Sequence, residues 1–351
     1  ANLVLIAAVI SAGAVTPTLT AKLPFVVGRG LVAAAAVLLV AGPYAERRVD
    51  TTGLQRNAVT ALVATSFPRL APRAGSEDWR LSPFEARDGG GLRRYRGGMA
   101  GRNVLIVILE STAAQYLASY GAKTDPTPNL TALAQRSILF EHAYAVYPES
   151  IKGLFALLCS RWPALDVPVE SYAAAPCDAL PGLLGKAGYR TSLFHAGRFR
   201  YLGMNELLTR QGFHTLEDAG AIGGNFESSF GVDEPSVVRR MLSWIDDLPA
   251  GQKFLLIYSP VAGHHPYASP YAGPFHVPDG LGMYRYALHY GDRSLGALLD
   301  GLRSRGLDQQ TMVIVFGDHG EAFGQHDGNY GHSIFIYEEN VRVPLVIAQP
   351  G

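Results

Sequence analysis

The stretch formed by residues 312–321 constrains the fold of this chain more than any other. Its first part, residues 312–316, is a short apolar run rich in β-branched side chains, and it stops at Gly317. Such a run, bounded by a turn residue, is typical of a buried parallel strand. Asp318 and His319 follow directly, and in open α/β sheets the chemistry collects at the carboxyl ends of the strands. A carboxylate beside an imidazole at that position predicts a pair of metal ligands, although a polar turn after a core strand fits these two residues equally well.

Three further strand-like runs end in polar residues of the same kind. They span residues 104–109, 189–194 and 254–258, and are followed by Glu110, His195 and the pair His264 and His265. Strand patterns alternate with helical patterns from residue 103 to the end of the chain. This alternation predicts an α/β fold, a mostly parallel sheet with helices on both faces. The polar residues after the strands are therefore expected to meet at one edge of the sheet.

The residue types at these strand ends suit a divalent metal site. Carboxylate and imidazole ligands together favour Zn²⁺ or Mn²⁺; Mg²⁺ or Ca²⁺ is compatible but less natural, and one or two ions would fit. Ser150 precedes a helical pattern over residues 151–158, so we expect it at the N-cap, where free backbone N–H groups favour an anion. A metal ion beside Ser150 would lower the pKa of its hydroxyl, which makes Ser150 the candidate nucleophile. Ser111 and Thr112 are the alternatives.

Residues 1–42 are predicted to be transmembrane segments. Residues 1–15 are uncharged and apolar, and residues 23–42 form a second apolar run with Arg29 as the single charge. The second run has about the length needed to span a bilayer. A cleaved signal peptide is the alternative interpretation of the first run. The chain starts without Met and ends just after an apolar strand-like run at residues 343–348, so we expect a fragment cut at both ends, with the last sheet elements missing.

Two regions follow the apolar runs. Residues 43–102 are predicted to form a juxtamembrane helix and a linker, and residues 103–351 are predicted to form a catalytic domain. The 30 basic and 30 acidic residues give a formal net charge of zero, which argues against nucleic-acid binding. Cys159 and Cys177 are the two cysteines of the chain. They would pair in an oxidising compartment; two unpaired thiols are the alternative.

From residue 103 onward the chain resembles the sulfatase family of the alkaline phosphatase superfamily. The most specific match is Asp318-His319-Gly320-Glu321, and further matches follow the family's order along the chain. These are Asp125-Pro126-Thr127-Pro128-Asn129-Leu130, His264-x-Pro266, Gly331-His332 and the segment from Tyr337 to Leu345. The resemblance implies an alkaline phosphatase/sulfatase-like fold and a metal-dependent enzyme that acts on phosphate or sulfate esters.

The same resemblance implies roles for individual residues. The metal ligands would be Glu110, Ser150, Asp318 and His319, with Ser150 also the covalent nucleophile. His264 and His332 would stabilise or protonate the leaving group, or hold a second ion. Substrate binding would fall to His195, Arg198 and Lys152. Glu321 would orient its neighbours without binding the metal itself.

Two departures from the sulfatase pattern favour phosphorus over sulfur. True sulfatases usually have two adjacent aspartates after the first strand, whereas this chain has Glu110-Ser111. They also carry a Cys/Ser-x-Pro-x-Arg motif that matures to formylglycine, whereas Ser150 is followed by Ile151-Lys152. Both features are similar to lipoteichoic acid synthases and phosphoethanolamine transferases, which are membrane-anchored with an extracytoplasmic head.

We therefore expect a cell-membrane enzyme with an extracytoplasmic catalytic domain. It would transfer a phosphoglycerol- or phosphoethanolamine-type head group, or cleave a phosphoester. Its partners would be the lipid bilayer and a membrane lipid or envelope glycan substrate; the sequence does not indicate an oligomeric state. One alternative is a sulfuric ester hydrolase acting on sulfated glycans or small sulfate esters. Another is a catalytically inactive scaffold domain at the membrane.

Overall fold

The computed structural model describes residues 97–164, 172, 175, 177–226, 230–270, 274–275, 279–332 and 335–349. The predicted transmembrane segments at residues 1–42, and the predicted juxtamembrane helix and linker up to residue 96, lie outside this part of the chain. Among the described residues, no helix is both long enough and apolar enough to cross a bilayer. The domain boundaries inferred from the sequence stay predictions.

Eleven strands occur in the described residues, and seven of them form one central sheet. In chain order they are β1 Asn103–Leu109, β2 Ile138–Leu139, β3 Ala143–Tyr144, β4 Arg190–His195, β5 Thr215–Glu217, β6 Phe254–Ser259, β7 Thr311–Gly317, β8 Ala322–Phe323, β9 Tyr330–Gly331, β10 Arg342–Val343 and β11 Leu345–Ala348. The order across the central sheet is β2-β11-β7-β1-β6-β4-β5. β11 pairs antiparallel with both of its neighbours, and the other pairs are parallel. The mostly parallel sheet predicted from the sequence is confirmed.

Helices cover both faces of this sheet, as the alternation of patterns predicted. The α-helices of the described residues are α1 Pro128–Ala134, α2 Ser150–Cys159, α3 Leu180–Lys186, α4 Met204–Leu208, α5 Ala219–Ile222, α6 Glu234–Asp246, α7 Gly280–Ser304 and α8 Glu338–Val341. Successive side chains of a strand point to opposite faces. Accordingly, Leu105 and Val107 of β1 pack with α1, α6 and α7, while Ile106 and Ile108 pack with α2 and α4.

Two local predictions differ from the structure. The apolar run at residues 343–348 is divided by Pro344, which lacks an N–H donor, into β10 and the antiparallel β11. Ser150 is the first residue of α2, and Glu149 occupies the N-cap without a side-chain capping bond. The expected N-cap position of Ser150 was therefore wrong by one residue. The other end of α2 is fixed by a disulfide bond between Cys159 and Cys177.

Candidate active site

The register of the central strands brings the two carboxylates of the site together. β1 and β7 pair in parallel with Leu109 opposite Gly317, so Glu110 and Asp318 are the first residues beyond the two strand ends. The backbone N–H of Asp318 donates to the carbonyl oxygen of Leu109 at 3.2 Å, which continues the pairing by one step. Two residues 208 positions apart thus leave the sheet side by side because two buried apolar runs align.

Glu110, Asp318 and His319 form a compact group of possible metal ligands. Each offers a ligand atom within 4.8 Å of the others, and all three side chains are buried. His319 Nδ1 lies 2.9 Å from the carbonyl oxygen of Gly320, which can only accept, so Nδ1 carries the proton and Nε2 is left as the ligand atom. Nε2 lies 3.5 Å from Glu110 Oε1 and 3.6 Å from Asp318 Oδ2. Buried donors that converge in this way fit a divalent metal ion.

The two carboxylates of this group carry shifts of pKa in opposite directions. Burial raises the pKa of Asp318, and the negative charge of Glu110 adds to this, giving a value of about 6. Burial also raises the pKa of Glu110, but favourable electrostatic interactions with neighbouring histidines, chiefly His319, outweigh it and leave the pKa below its usual value. Two carboxylates with oxygen atoms within 4.8 Å of each other repel when both are charged, and a bound cation would offset this repulsion.

Ser150 places its hydroxyl against this group. Its Oγ lies 3.1 Å from Glu110 Oε2 and 3.2 Å from His319 Nε2. As the first residue of α2, Ser150 also stands where the unpaired N–H groups of a ten-residue helix favour an anion. The alternative hydroxyls are engaged elsewhere: Ser111 Oγ donates to Glu110 Oε1 at 2.9 Å, and Thr112 Oγ1 donates to the Glu110 carbonyl at 3.0 Å.

Ser111 joins the two carboxylates of the site. Its backbone N–H donates to Asp318 Oδ1 at 3.0 Å while its hydroxyl donates to Glu110. The residue is fully buried and has a φ of 52°, a left-handed conformation that is unusual for serine. The Tyr284 hydroxyl, donating to the Ser111 carbonyl at 2.7 Å, helps to hold it there. The sequence offers Ser111 as an alternative nucleophile, and no spacing or motif indicates this linking position.

His264 and His332 lie next to each other beside the group. Their ring centroids are 5.6 Å apart, and the His332 ring lies 4.3 Å from that of His319. His264 Nδ1 contacts the His265 carbonyl at 2.7 Å, and His332 Nδ1 contacts Glu321 Oε2 at 2.6 Å, so each ring has its Nε2 available for substrate or a proton. Glu321 is buried and also accepts from the Tyr267 hydroxyl at 2.6 Å. The orienting position expected for Glu321 agrees with these contacts.

Asn340 links the two chain segments that carry His319 and His332. The side-chain amide of Asn340 donates to the Gly331 carbonyl at 3.0 Å, and the backbone carbonyl of Asn340 accepts from the Gly320 N–H at 2.8 Å. Gly320 is required here because an added Cβ would collide with the backbone of Glu339. Asn340 belongs to the motif from Tyr337 to Leu345, whose sequence does not by itself indicate a positioning role.

The three residues expected to bind substrate occupy different settings. His195 ends β4, is buried and contacts the Ser259 carbonyl through Nδ1 at 3.0 Å; burial lowers its pKa, which favours the neutral ring. Lys152 is buried two residues after Ser150 in α2 and is paired with Glu149 at 2.9 Å. The guanidinium of Arg198 lies against Gly220. The structure thus brings together Glu110, Ser150, Asp318, His319, His264 and His332. His195 lies near enough to Glu110 for the carboxylate to oppose the effect of burial on the pKa of His195.

A central parallel sheet with this arrangement at its carboxyl edge is the alkaline phosphatase-like α/β fold. A protein of the alkaline phosphatase superfamily from Vibrio parahaemolyticus superposes with a TM-score of 0.59 at 23% identity, covering 71% of this chain and 61% of that one. The sequence model of the Sulfatase family matches residues 102–351. The chain belongs to the Sulfatase family, whose enzymes act on phosphate or sulfate esters.

Relatives within this family divide between two activities. The chain is 22% identical to lipoteichoic acid synthase 2 of Bacillus subtilis, covering 64% of this chain and 36% of that protein. It is 24% identical to an ulvan-active sulfatase of Formosa agariphila, covering 71% of this chain and 56% of that protein. The chain therefore spans between about a third and a little over half of the length of these relatives.

Solved structures show the same fold. The lipoteichoic acid synthase LtaP of Listeria monocytogenes matches with a TM-score of 0.62 at 21% identity, covering 73% of this chain and 67% of that one. The C-terminal periplasmic domain of EptC from Escherichia coli, solved in complex with Zn, matches with a TM-score of 0.55 at 18% identity, covering 71% and 73%.

Proposed function

We propose that this chain is part of a membrane-anchored enzyme that transfers a phosphate-linked head group, of phosphoglycerol or phosphoethanolamine type, or cleaves a phosphoester, through covalent Ser150. The observation that carries the proposal is the position of the Ser150 hydroxyl, at a helix N-terminus and within 3.2 Å of both Glu110 and His319. The serine needs no maturation to act as a nucleophile there, and the chain has no Cys/Ser-x-Pro-x-Arg motif at this position.

The residues around Ser150 would divide the reaction between them. A divalent ion held by Glu110, Asp318 and His319 would supply positive charge that lowers the pKa of the hydroxyl and offsets the charge of the phosphoryl group. The proton of Ser150 passes to solvent, and Oγ attacks phosphorus. A bond forms between Oγ and phosphorus while the bond from phosphorus to the leaving alcohol breaks, which gives a phosphoserine intermediate.

A histidine then donates a proton to the leaving group and, in the second step, accepts one from the entering group. His332, oriented by Glu321, or its neighbour His264 protonates the departing alkoxide through Nε2. In the second step the acceptor hydroxyl, or water, returns a proton to the same imidazole and attacks phosphorus. The bond between phosphorus and Oγ breaks, and Oγ takes up a proton from solvent, which regenerates the Ser150 hydroxyl.

A membrane location on the outer side is part of the proposal. It is supported by the apolar runs in residues 1–42, by the disulfide between Cys159 and Cys177, which persists in oxidising compartments, and by the similarity to a periplasmic domain. A lipid head group would then be supplied from the bilayer. The second candidate is a sulfate-ester hydrolase, which the similarity to the ulvan-active sulfatase favours.

A substrate panel on the wild-type chain separates the two candidates. With Zn²⁺ or Mn²⁺ added, we expect turnover of phosphatidylglycerol or phosphatidylethanolamine vesicles, or of a p-nitrophenyl phosphodiester, and little turnover of p-nitrophenyl sulfate. Ser150→Ala should lower kcat by about 10⁴-fold or more. The control is Ser137→Ala, whose hydroxyl bonds only within its own helix end. Normal turnover by Ser150→Ala, or faster cleavage of the sulfate ester, would overturn the proposal.

A further inference from the structure

Glu234 is a buried carboxylate that takes no part in the reaction proposed above. It is the first residue of α6 and is 1% exposed. One carboxylate oxygen accepts the backbone N–H groups of Val261 at 2.8 Å and Ala262 at 3.1 Å, and the other accepts the hydroxyl of Tyr258. All three donors belong to the end of β6 and the turn that follows it.

That turn presents His264 to the candidate active site. The His264 N–H donates to the Val261 carbonyl at 2.9 Å, so His264 is the last residue of the turn that Glu234 binds. On its other side the turn presses against the metal-ligand group, because a Cβ on Gly263 would collide with the carbonyl oxygen of Glu110. The turn is therefore held between the carboxylate of Glu234 and the backbone of Glu110.

We propose that Glu234 is a positioning residue for His264, which it fixes through the turn at Val261 and Ala262. The inference rests on the proposed function, in which His264 acts on the leaving group. Two hydrogen bonds from consecutive backbone N–H groups to one carboxyl oxygen define both the position and the direction of a turn. The His264 ring lies between those of Phe230 and His332, with distances between ring centroids of 3.9 Å and 5.6 Å. Loss of the two hydrogen bonds would free the ring to leave this position.

Asp292 provides a matched control for a carboxylate with a purely structural task. It is 4% exposed, and it accepts the consecutive backbone N–H groups of Asn129 and Leu130, both at 2.9 Å. Those two residues begin the short helix α1, which carries none of the candidate site residues. Glu234→Ala and Asp292→Ala therefore remove similar hydrogen bonds, and only the first acts on a catalytic turn.

The test compares two phosphodiesters that differ in their leaving group. An alkyl alkoxide needs a proton as it departs, whereas p-nitrophenolate hardly does. Glu234→Ala should lower kcat/KM about 100-fold on the alkyl diester and less than about 5-fold on the p-nitrophenyl diester. Asp292→Ala should lower both equally, or neither. The conservative Glu234→Gln retains an acceptor for the two N–H groups and should restore most of the alkyl activity. Equal losses on both esters in Glu234→Ala would overturn the proposal.

A double-variant cycle shows whether the effect passes through His264. If it does, Glu234→Ala combined with His264→Ala should be no slower on the alkyl diester than His264→Ala alone. Multiplying losses, or a His264→Ala variant as active as wild type, would contradict the inference.

A readout without turnover separates this inference from the proposed function. The rate at which diethyl pyrocarbonate modifies His264, followed by peptide mass spectrometry, should change at least about threefold in Glu234→Ala and stay constant in Asp292→Ala. An unchanged rate would overturn the positioning role even in an inactive preparation. If the rate changes but neither ester is turned over by wild type, the proposed function fails and the positioning role stands.

Discussion

The Oγ atom of Ser150 lies 3.2 Å from Nε2 of His319, although the two residues are 169 positions apart in the chain. Ser150 begins α2, whose residue Ile151 packs with the β1 residues Ile106 and Ile108 in one core. His319 follows β7, the neighbour of β1 in the sheet. Burial of apolar side chains on one face of the sheet therefore sets the distance between the candidate nucleophile and a candidate metal ligand.

Replacing Glu110 with Gln should weaken metal binding. The substitution keeps the size of the side chain but removes the charge that a cation requires beside Asp318 and His319. Residues that only support metal ligands cost 10- to 100-fold in affinity when replaced, so loss of a ligand should cost about 100-fold or more. Competition with a chromophoric chelator for Zn²⁺ or Mn²⁺ measures this. The exposed Glu141→Gln serves as control, and equal affinity in both variants would place the metal elsewhere.

Two substitutions of Ser111 separate the effect of its left-handed backbone conformation on stability from the effect of its hydroxyl on metal affinity. Ser111→Ala and Ser111→Gly both remove the hydroxyl that donates to Glu110, so both should lower metal affinity about 10- to 100-fold. Only glycine adopts a φ of 52° without cost, so Ser111→Gly should be more stable than Ser111→Ala by about 1 kcal/mol. Urea unfolding of the two metal-free variants gives the difference, and equal stability would show that the left-handed conformation is not strained.

The sequence carried enough information for the parallel strands and for the residues at their ends. A short apolar run such as residues 312–316 is typical of a strand inside a sheet that is covered on both faces. The polar residue after such a strand then lies at the carboxyl edge of the sheet. The strand pattern therefore predicts that Glu110, Asp318 and His319 lie together, as the structure has them. The helix predicted over residues 151–158, by contrast, extends one residue further at each end, since helix ends depend on caps and packing that periodicity does not encode.

What the sequence could not supply was contact between distant segments. The apolar character of Leu345–Ala348 indicates a strand but not its antiparallel pairing with β7 and β2. The bond from the Tyr267 hydroxyl to Glu321 joins residues 54 positions apart, and no spacing rule marks it. Glu234 likewise reads as an ordinary acidic residue in the first turn of a helix, and its burial beneath the His264 turn became visible only in three dimensions.

Reduction of the disulfide should destabilise the folded region that contains it without rearranging the candidate site. Cys159 ends the helix that begins at Ser150, and the bond closes a loop across a separation of 18 residues. On the chain-entropy model this closure is worth about 3 kcal/mol. We expect the urea midpoint of wild type to fall in dithiothreitol to that of Cys159→Ala/Cys177→Ala, while the double variant itself should not respond to reductant. A midpoint that does not respond in wild type would mean that the two cysteines are unpaired.

The pH dependence of stability should reveal Glu234. Burial raises its pKa from the usual 4.5 to about 7, against the opposing effect of the hydrogen bonds that it accepts. Because the native state then holds its proton more tightly than the unfolded state, the stability contributed by this group is complete below pH 4.5 and is lost as the pH rises through about 7. The loss should be of order 3 kcal/mol.

Glu234→Gln removes this titration and keeps an acceptor for Val261 and Ala262. The variant should match wild type near pH 5 and exceed it by about 3 kcal/mol near pH 8. Parallel urea titrations of the two proteins across this range cancel the titration of every other group. A stability difference that stays constant from pH 5 to 8 would show that the carboxylate ionises in the folded protein as it does in the unfolded chain.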